Sequence, residues 1–197
     1  ETNLGYELEQ TYSPERIVKQ HYFKDGSAVD FVIKLPNELL LPIDSKFPME
    51  VFTPYAEEVD PSLKLRKRQV FVAAVKKEID AIASKYINPD ESTIEFALLY
   101  VPAEAVFYEI VFSMREDDLV NYAQRKRVQL VSPNTLKLTL SVIEHWVRDI
   151  TVNKETREIL KRLNTILQDG KKLTESFGKL GKHISNVQGA YSDSGER

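Results

Sequence analysis

Three charged residues stand in sequence that is otherwise apolar. Asp30 interrupts the run Ala28-Val29-Asp30-Phe31-Val32-Ile33, and Asp44 and Lys46 sit in Leu41-Pro42-Ile43-Asp44-Ser45-Lys46-Phe47. Apolar strands carry charge where the charges meet one another or an ion, because an isolated buried charge is expensive. Alternation along a strand puts Asp44 and Lys46 on one face, with Ile43, Ser45 and Phe47 on the other. Pairing of the two segments around Pro36-Asn37 brings Asp30 close to Asp44, so two carboxylates and an ammonium converge on one patch of sheet.

That set suits metal-assisted phosphodiester hydrolysis. Two carboxylates hold a hard divalent ion such as Mg²⁺ and leave positions for water and a phosphate oxygen. Lys46 beside it would orient or deprotonate the attacking water, or stabilise the charge on the phosphorane. The backbone carbonyl of Ser45 offers another oxygen ligand, and Glu7 or Glu9, on the first helix, a third carboxylate. The plainer alternative is a structural ion pair between Lys46 and Asp30 or Asp44 on a solvated sheet face. Asp-x-Lys recurs at Asp169-Gly170-Lys171, in helical sequence where this argument does not apply.

The elements that must position these residues are legible in outline. Residues 3–12 read as a helix stopped by Ser13-Pro14. Arg16 to Phe23 and Ala28 to Leu35 read as strands joined at Asp25-Gly26, a two-residue hairpin signal. Leu39 to Phe47 is a third strand, in which Pro42 predicts a bulge or an unpaired edge. Pro61 opens a long helix to Tyr86, with Phe71, Val75, Ile79, Ile82 and Tyr86 on one face. Thr93 to Val101 is apolar on both faces and reads as a buried central strand. Helices follow from Pro102 to Met114 and from Leu119 to Gln124, then a strand from Val128 to Val131, then a helix opened by Ser132-Pro133. From Thr151 the chain reads as helix, with a heptad-like seam at Leu173, Phe177, Leu180, Ile184, Val187 and Tyr191 that would permit self-association.

Composition narrows the classes further. The 197 residues carry 27 Lys+Arg and 30 Asp+Glu, a net charge of −3, and are 42% hydrophobic, values of an ordinary globular chain. The absence of cysteine excludes disulfides, thiolate zinc sites and cysteine nucleophiles, and the three histidines lie far apart in sequence. No apolar run approaches the ~20 residues of a membrane span. Nothing suggests secretion, and the opening on Glu1 in polar helical sequence reads as an excised piece of a longer protein. Charge is uneven, −6 over residues 1–150 against +3 over residues 151–197. A DNA interface would therefore need a focused local field, for which the stripe Lys64, Arg66, Lys67, Arg68, Lys76 and Lys77 is one candidate.

Asp30 with Asp44-x-Lys46 resembles the active-site pattern of the PD-(D/E)xK restriction-endonuclease-like superfamily, with Val29 where a proline is usual. A longer string is more telling: Val29-Asp30-Phe31-Val32-Ile33-Lys34-Leu35-Pro36, Ile43-Asp44-Ser45-Lys46, Leu99-Tyr100-Val101-Pro102-Ala103-Glu104 and Leu130-Val131-Ser132-Pro133-Asn134-Thr135-Leu136. In this order the four blocks resemble the RmuC family of bacterial DNA recombination proteins. Gly181-Lys182-His183-Ile184 to Ala190-Tyr191 is similar to that family's C-terminal helix. The resemblance implies metal ligands at Asp30 and Asp44, a catalytic lysine at Lys46, and Glu9 rather than Glu7 as the acid from the first helix. It also implies a nuclease-like activity that limits DNA rearrangement, and an N-terminal anchor and coiled coil in longer members. Pro42 departs from the β-branched residue expected in the catalytic strand.

The expectation is thus an α/β, restriction-endonuclease-like core over residues 1–150, with a mixed central sheet flanked by helices. A helical extension over residues 151–197 would pack on it. The expected function is a Mg²⁺- or Mn²⁺-dependent DNA nuclease, cytoplasmic or tethered to a membrane in a longer chain. A non-catalytic DNA-binding or scaffolding module is the alternative. Ser132 and Lys85 are candidate contacts to DNA phosphate, against their plainer roles as a helix N-cap and a C-terminal charge. Glu104 is expected to sit against the dipole of its own helix, and His145-Trp146 to pack the tail.

Overall fold

The first register is set at Gly26, in a computed structural model that describes residues 2–195. Within it, the side chains of residues 2, 3, 150–158, 160, 174 and 180–195 lie outside the description. Following the helix α1 (Thr2–Thr11), strands β1 (Ile17–Tyr22) and β2 (Ala28–Lys34) pair antiparallel with Ile17 opposite Ile33. The turn between them is not the two-residue type that Asp25-Gly26 suggests. Gly26 N–H donates to Phe23 O (3.0 Å), Gly26 takes φ 83°, and Phe23 N–H donates to Ser27 O. This is a three-residue loop closed by a left-handed glycine, with the Asp25 carboxylate accepting from Ser27 N–H at 2.8 Å.

Strand β3 (Leu40–Asp44) returns antiparallel to β2, with Phe31 opposite Ile43 and Val32 opposite Pro42. Helices α2 (Met49–Ala56) and α3 (Pro61–Tyr86) then cross to β4 (Ala97–Tyr100), which lies parallel to β3. Helices α4 (Glu104–Tyr108), continued by a π turn over Glu109–Ser113, and α5 (Leu119–Arg125) cross to β5 (Val128–Val131), again parallel. The sheet is a mixed one of five strands in sequence order.

Pro42 sits in the middle of β3, and the ladder gives way on the β4 side. Leu40 N–H points at Ser92 O (2.9 Å) on that side. Alternate residues share a direction, so the position of Pro42 would present its missing N–H there too. The pairing breaks between the lone bridge Leu40–Thr93 and Ile43–Leu98, with two extra residues on the β4 side.

One sheet face carries α2 to α5. Phe71, Val75, Ile79 and Ile82 of α3, all fully buried, pack with Val32, Leu99, Ile110 and Leu119. The other face packs Leu4 and Leu8 of α1 and Leu136, Leu140 and Val147 of the helix α6 (Pro133–Gly195) on Ile33, Ile43 and Leu98. Asp60 caps α3 by accepting from Ser62 N–H and Leu63 N–H, each at 2.9 Å. Chain contacts divide the molecule into Glu1–Arg148 and Asp149–Arg197. The second unit is helical, and Leu163, Ile166, Leu173 and Phe177 are exposed on it. Of the expected heptad seam, Leu180, Ile184, Val187 and Tyr191 lie outside the described side chains, as does the block from Gly181 to Tyr191.

Candidate active site

Continuing the β2–β3 register by one step from Phe31–Ile43 sets Asp30 beside Asp44 at the end of β3. Both side chains are buried, Asp30 at 1% and Asp44 at 1% exposure. Lys46 stands over them from the solvent side, its Nζ 3.5 Å from Asp30 Oδ1 and 3.9 Å from Asp44 Oδ1. The three residues that the sequence singles out thus meet.

The two aspartates differ sharply in their surroundings. Ser45 N–H (3.0 Å) and Ser45 Oγ–H (2.7 Å) both donate to Asp30 Oδ2, and Gln20 Nε2–H reaches Oδ1 at 3.4 Å. Burial alone pushes Asp30 upward, but the two Ser45 bonds and the Lys46 charge outweigh it and hold the carboxyl below its usual range. Neither buried Asp44 oxygen has a hydrogen bond of ordinary geometry; the groups that favour its charge are Lys46 Nζ, 3.9 Å from Oδ1, and the Lys46 backbone N–H. Burial raises the Asp44 pKa to about 7, the neighbouring Asp30 charge and Glu78 of α3 add to the effect, and Lys46 opposes it. Lys46 is raised in turn: its partial burial acts downward, but the two carboxylates more than offset that and keep it protonated.

Other residues fall elsewhere than the sequence suggests. β3 ends at Asp44, and Phe47 N–H donates to Ser45 O at 2.8 Å, a tight turn that ends the alternation. Phe47 therefore packs on the α3 side, 6.0 Å from the Phe71 ring, and Ser45 turns its hydroxyl to Asp30, while its carbonyl, the expected oxygen ligand, accepts from Phe47 N–H. Glu9 is exposed and paired with Lys19 (2.7 Å) at a cleft whose wall includes Asp30. Glu7 points to the other sheet face, accepting from Tyr100 Oη–H at 3.1 Å. Among the described residues no group of three or more His, Cys, Asp or Glu is placed to hold a metal.

Ser132 is fully buried and its hydroxyl is spent on Thr135 as a helix cap. The adjacent first-turn Asn134 N–H donates to Glu104 at 2.7 Å, so Glu104 serves the N-terminus of α6. Lys85 is exposed near the first hairpin, where the Ser27 hydrogen bonds chiefly hold the Asp25 carboxyl below its usual range and the Lys85 charge adds least. Tyr86 is core, with its hydroxyl donating to Ala28 O at 2.9 Å. The basic stripe is partly neutralised, Lys67 by Glu58 and Arg68 by Asp117. Trp146 rests against Phe96.

Two residues near the aspartates escape the sequence reading. Gln20 takes φ 52° opposite Asp30, a backbone state that strand patterns do not announce. Glu78 flanks the apolar stripe of α3 beside Ile79 and is half-buried, so residue spacing alone does not mark it out.

The chain is 30% identical over 177 residues to the DNA recombination protein RmuC homolog of Chlamydia trachomatis, covering 86% of this chain and 38% of that protein. It is 30% identical over 185 residues to the homolog of Pasteurella multocida, covering 90% and 36%. With the DNA recombination protein RmuC of Escherichia coli K12 the figures are 22% over 189 residues, covering 95% and 38%. The chain spans less than two fifths of the length of these relatives. No solved structure matches it. The RmuC family model matches residues 1–197, the whole chain, and the chain belongs to the RmuC family.

Proposed function

We propose that this chain is a Mg²⁺- or Mn²⁺-dependent deoxyribonuclease acting in DNA recombination. The observation that carries the reading is the Asp44 carboxyl, buried with no hydrogen bond of ordinary geometry to either oxygen, beside a second aspartate and with a half-exposed lysine 3.9 Å away as its cation. An acid so placed is costly unless a cation completes it. The residues fit a small hard ion, which needs one or two carboxylates and takes its other oxygens from water and phosphate. Asp44 and Asp30 would hold it. When bound, such an ion supplies Lewis-acid activation of a water and of the scissile phosphate.

The chain's own residues account for the rest. Ser45 fixes Asp30 Oδ2 through two donors, so one carboxylate is oriented before any ion arrives. Lys46, held protonated, is suited to stabilising charge on the phosphorane, and less to taking a proton from water. Lys46 sits at the open side, where a phosphate approaches. The relatives named DNA recombination proteins support a role in DNA recombination, and no described helix is long and apolar enough to cross a membrane.

The test is cleavage of supercoiled plasmid and of single-stranded DNA in Mg²⁺ and in Mn²⁺, with Lys46→Ala prepared identically. Metal-dependent cleavage lost in Lys46→Ala upholds the reading. Absence of cleavage with DNA binding intact would replace it by a non-catalytic DNA-binding module, and equal cleavage by both proteins would detach it from this site.

A further inference from the structure

Beside Asp30 the edge of the sheet opens into a cleft of about 440 Å³ between α1 and the first two strands. Tyr6 and Glu9 of α1, Lys19 and Gln20 of β1, and Asp30 of β2 line it. Tyr6 is 66% exposed. Glu9 and Lys19 form a pair at 2.7 Å and present one acceptor group and one donor group. Gln20 joins the cleft to the aspartates: it lines the one and donates to Asp30 Oδ1 in the other.

Gln20 is also where β1 departs from regular pairing. Lys19 and His21 stand opposite Phe31 and Val29, while Gln20 between them has left the ladder with φ 52°. An L residue on an edge strand adopts the left-handed region at a cost, and such outliers concentrate at binding and catalytic sites. Nothing in the hairpin requires it, since the turn lies beyond Tyr22 and has its own glycine. The departure leaves a carboxamide at the cleft, with donor and acceptor capacity beyond its one bond to Asp30.

We propose that this cleft is a subsite for one unpaired nucleobase, which makes the preferred substrate single-stranded or frayed DNA. The inference rests on the reading of Asp30, Asp44 and Lys46 as the place of phosphate cleavage. Its chemistry is that of a base: a flat exposed ring for stacking, a carboxamide able to address two edge atoms at once, and a charged acceptor and donor alongside. The cleft lies within the usual size range of small-ligand sites. With Asp30 in its wall, a base lodged there belongs to the nucleotide next to the phosphate under attack. A base in a duplex has its pairing edge and both faces occupied, and enters only after it is unpaired.

The experiment compares binding of fluorescein-labelled oligothymidylate with that of an abasic deoxyribose-phosphate chain of equal length, by anisotropy in Ca²⁺. Wild type is expected to prefer the oligothymidylate by about tenfold, the scale of one stacked base. Tyr6→Ala should abolish that preference without weakening the abasic chain, and Tyr6→Phe should restore it. Gln20→Gly, which relieves the backbone, should lose most of the preference while folding at least as stably. Equal affinity of wild type for both probes, or a preference unchanged in Tyr6→Ala, overturns the subsite while leaving the cleavage reading to its own Lys46→Ala test. Failure to bind either probe overturns the subsite as well, and cleavage of the duplex plasmid then decides the cleavage reading by itself.

Discussion

Replacing Asp44 by asparagine isolates the cost of the buried carboxylate. Its pKa in the folded chain is raised from 3.8 to about 7. Between these values the folded protein keeps a proton that the unfolded chain has released, so wild-type stability falls as pH rises from about 4 to about 7. From pH 5 to pH 8 the loss spans about two pH units of slope, or about 3 kcal/mol at roughly 1.4 kcal/mol per unit. The amide of the Asp44→Asn variant does not ionise and escapes that loss. Asp30 is ionised and Lys46 charged throughout this range in wild type, so neither obscures the comparison. The assay is urea unfolding in EDTA at both pH values, followed by the fluorescence of Trp146, the single tryptophan, which rests against Phe96 in the first unit. The stability of Asp44→Asn relative to wild type should rise by about 3 kcal/mol between pH 5 and pH 8, or about 6 to 12 °C in Tm for a chain of this size. A difference that does not change with pH would refute the assignment of a burial-raised pKa to Asp44, and with it the argument that this acid awaits a cation.

Further outcomes follow from the same geometry. Mn²⁺ should raise the Tm of wild type at pH 8 and much less at pH 6, where it must displace the Asp44 proton, and should not raise that of Asp44→Asn at either; differential scanning fluorimetry reads this directly. Ser45→Ala removes one of two donors to Asp30 Oδ2 and should weaken Mn²⁺ binding by about tenfold in a calorimetric titration, with the fold intact. Tyr100→Phe leaves Glu7 without its donor on the opposite sheet face and should destabilise the chain by about 1–3 kcal/mol in urea, with Mn²⁺ affinity unchanged. Asp60→Ala removes the α3 cap and should cost about 1 kcal/mol by the same unfolding assay.

The sequence by itself determined the charged triad and most of its scaffold. Asp30, Asp44 and Lys46 stand out because strands bury alternate residues and charge in such a run demands a partner. The limits of α3 follow from Pro61 behind Asp60 and from Asn88-Pro89, which are local signals of backbone geometry. Tertiary structure decided the rest, because the remaining contacts join residues far apart in the chain. Glu9 finds Lys19 on β1, Glu104 finds the first turn of α6, and Glu78 comes within electrostatic reach of Asp44 only once α3 is laid across the sheet. Ser45 reaches Asp30 because β3 stops at Asp44 and turns, which overrides the two-residue alternation that assigns it to the other face. The left-handed Gln20 has no signature in residue type at all. Its neighbours Lys19 and His21 stay in the β1–β2 ladder while it departs, and that pairing exists only in the folded chain.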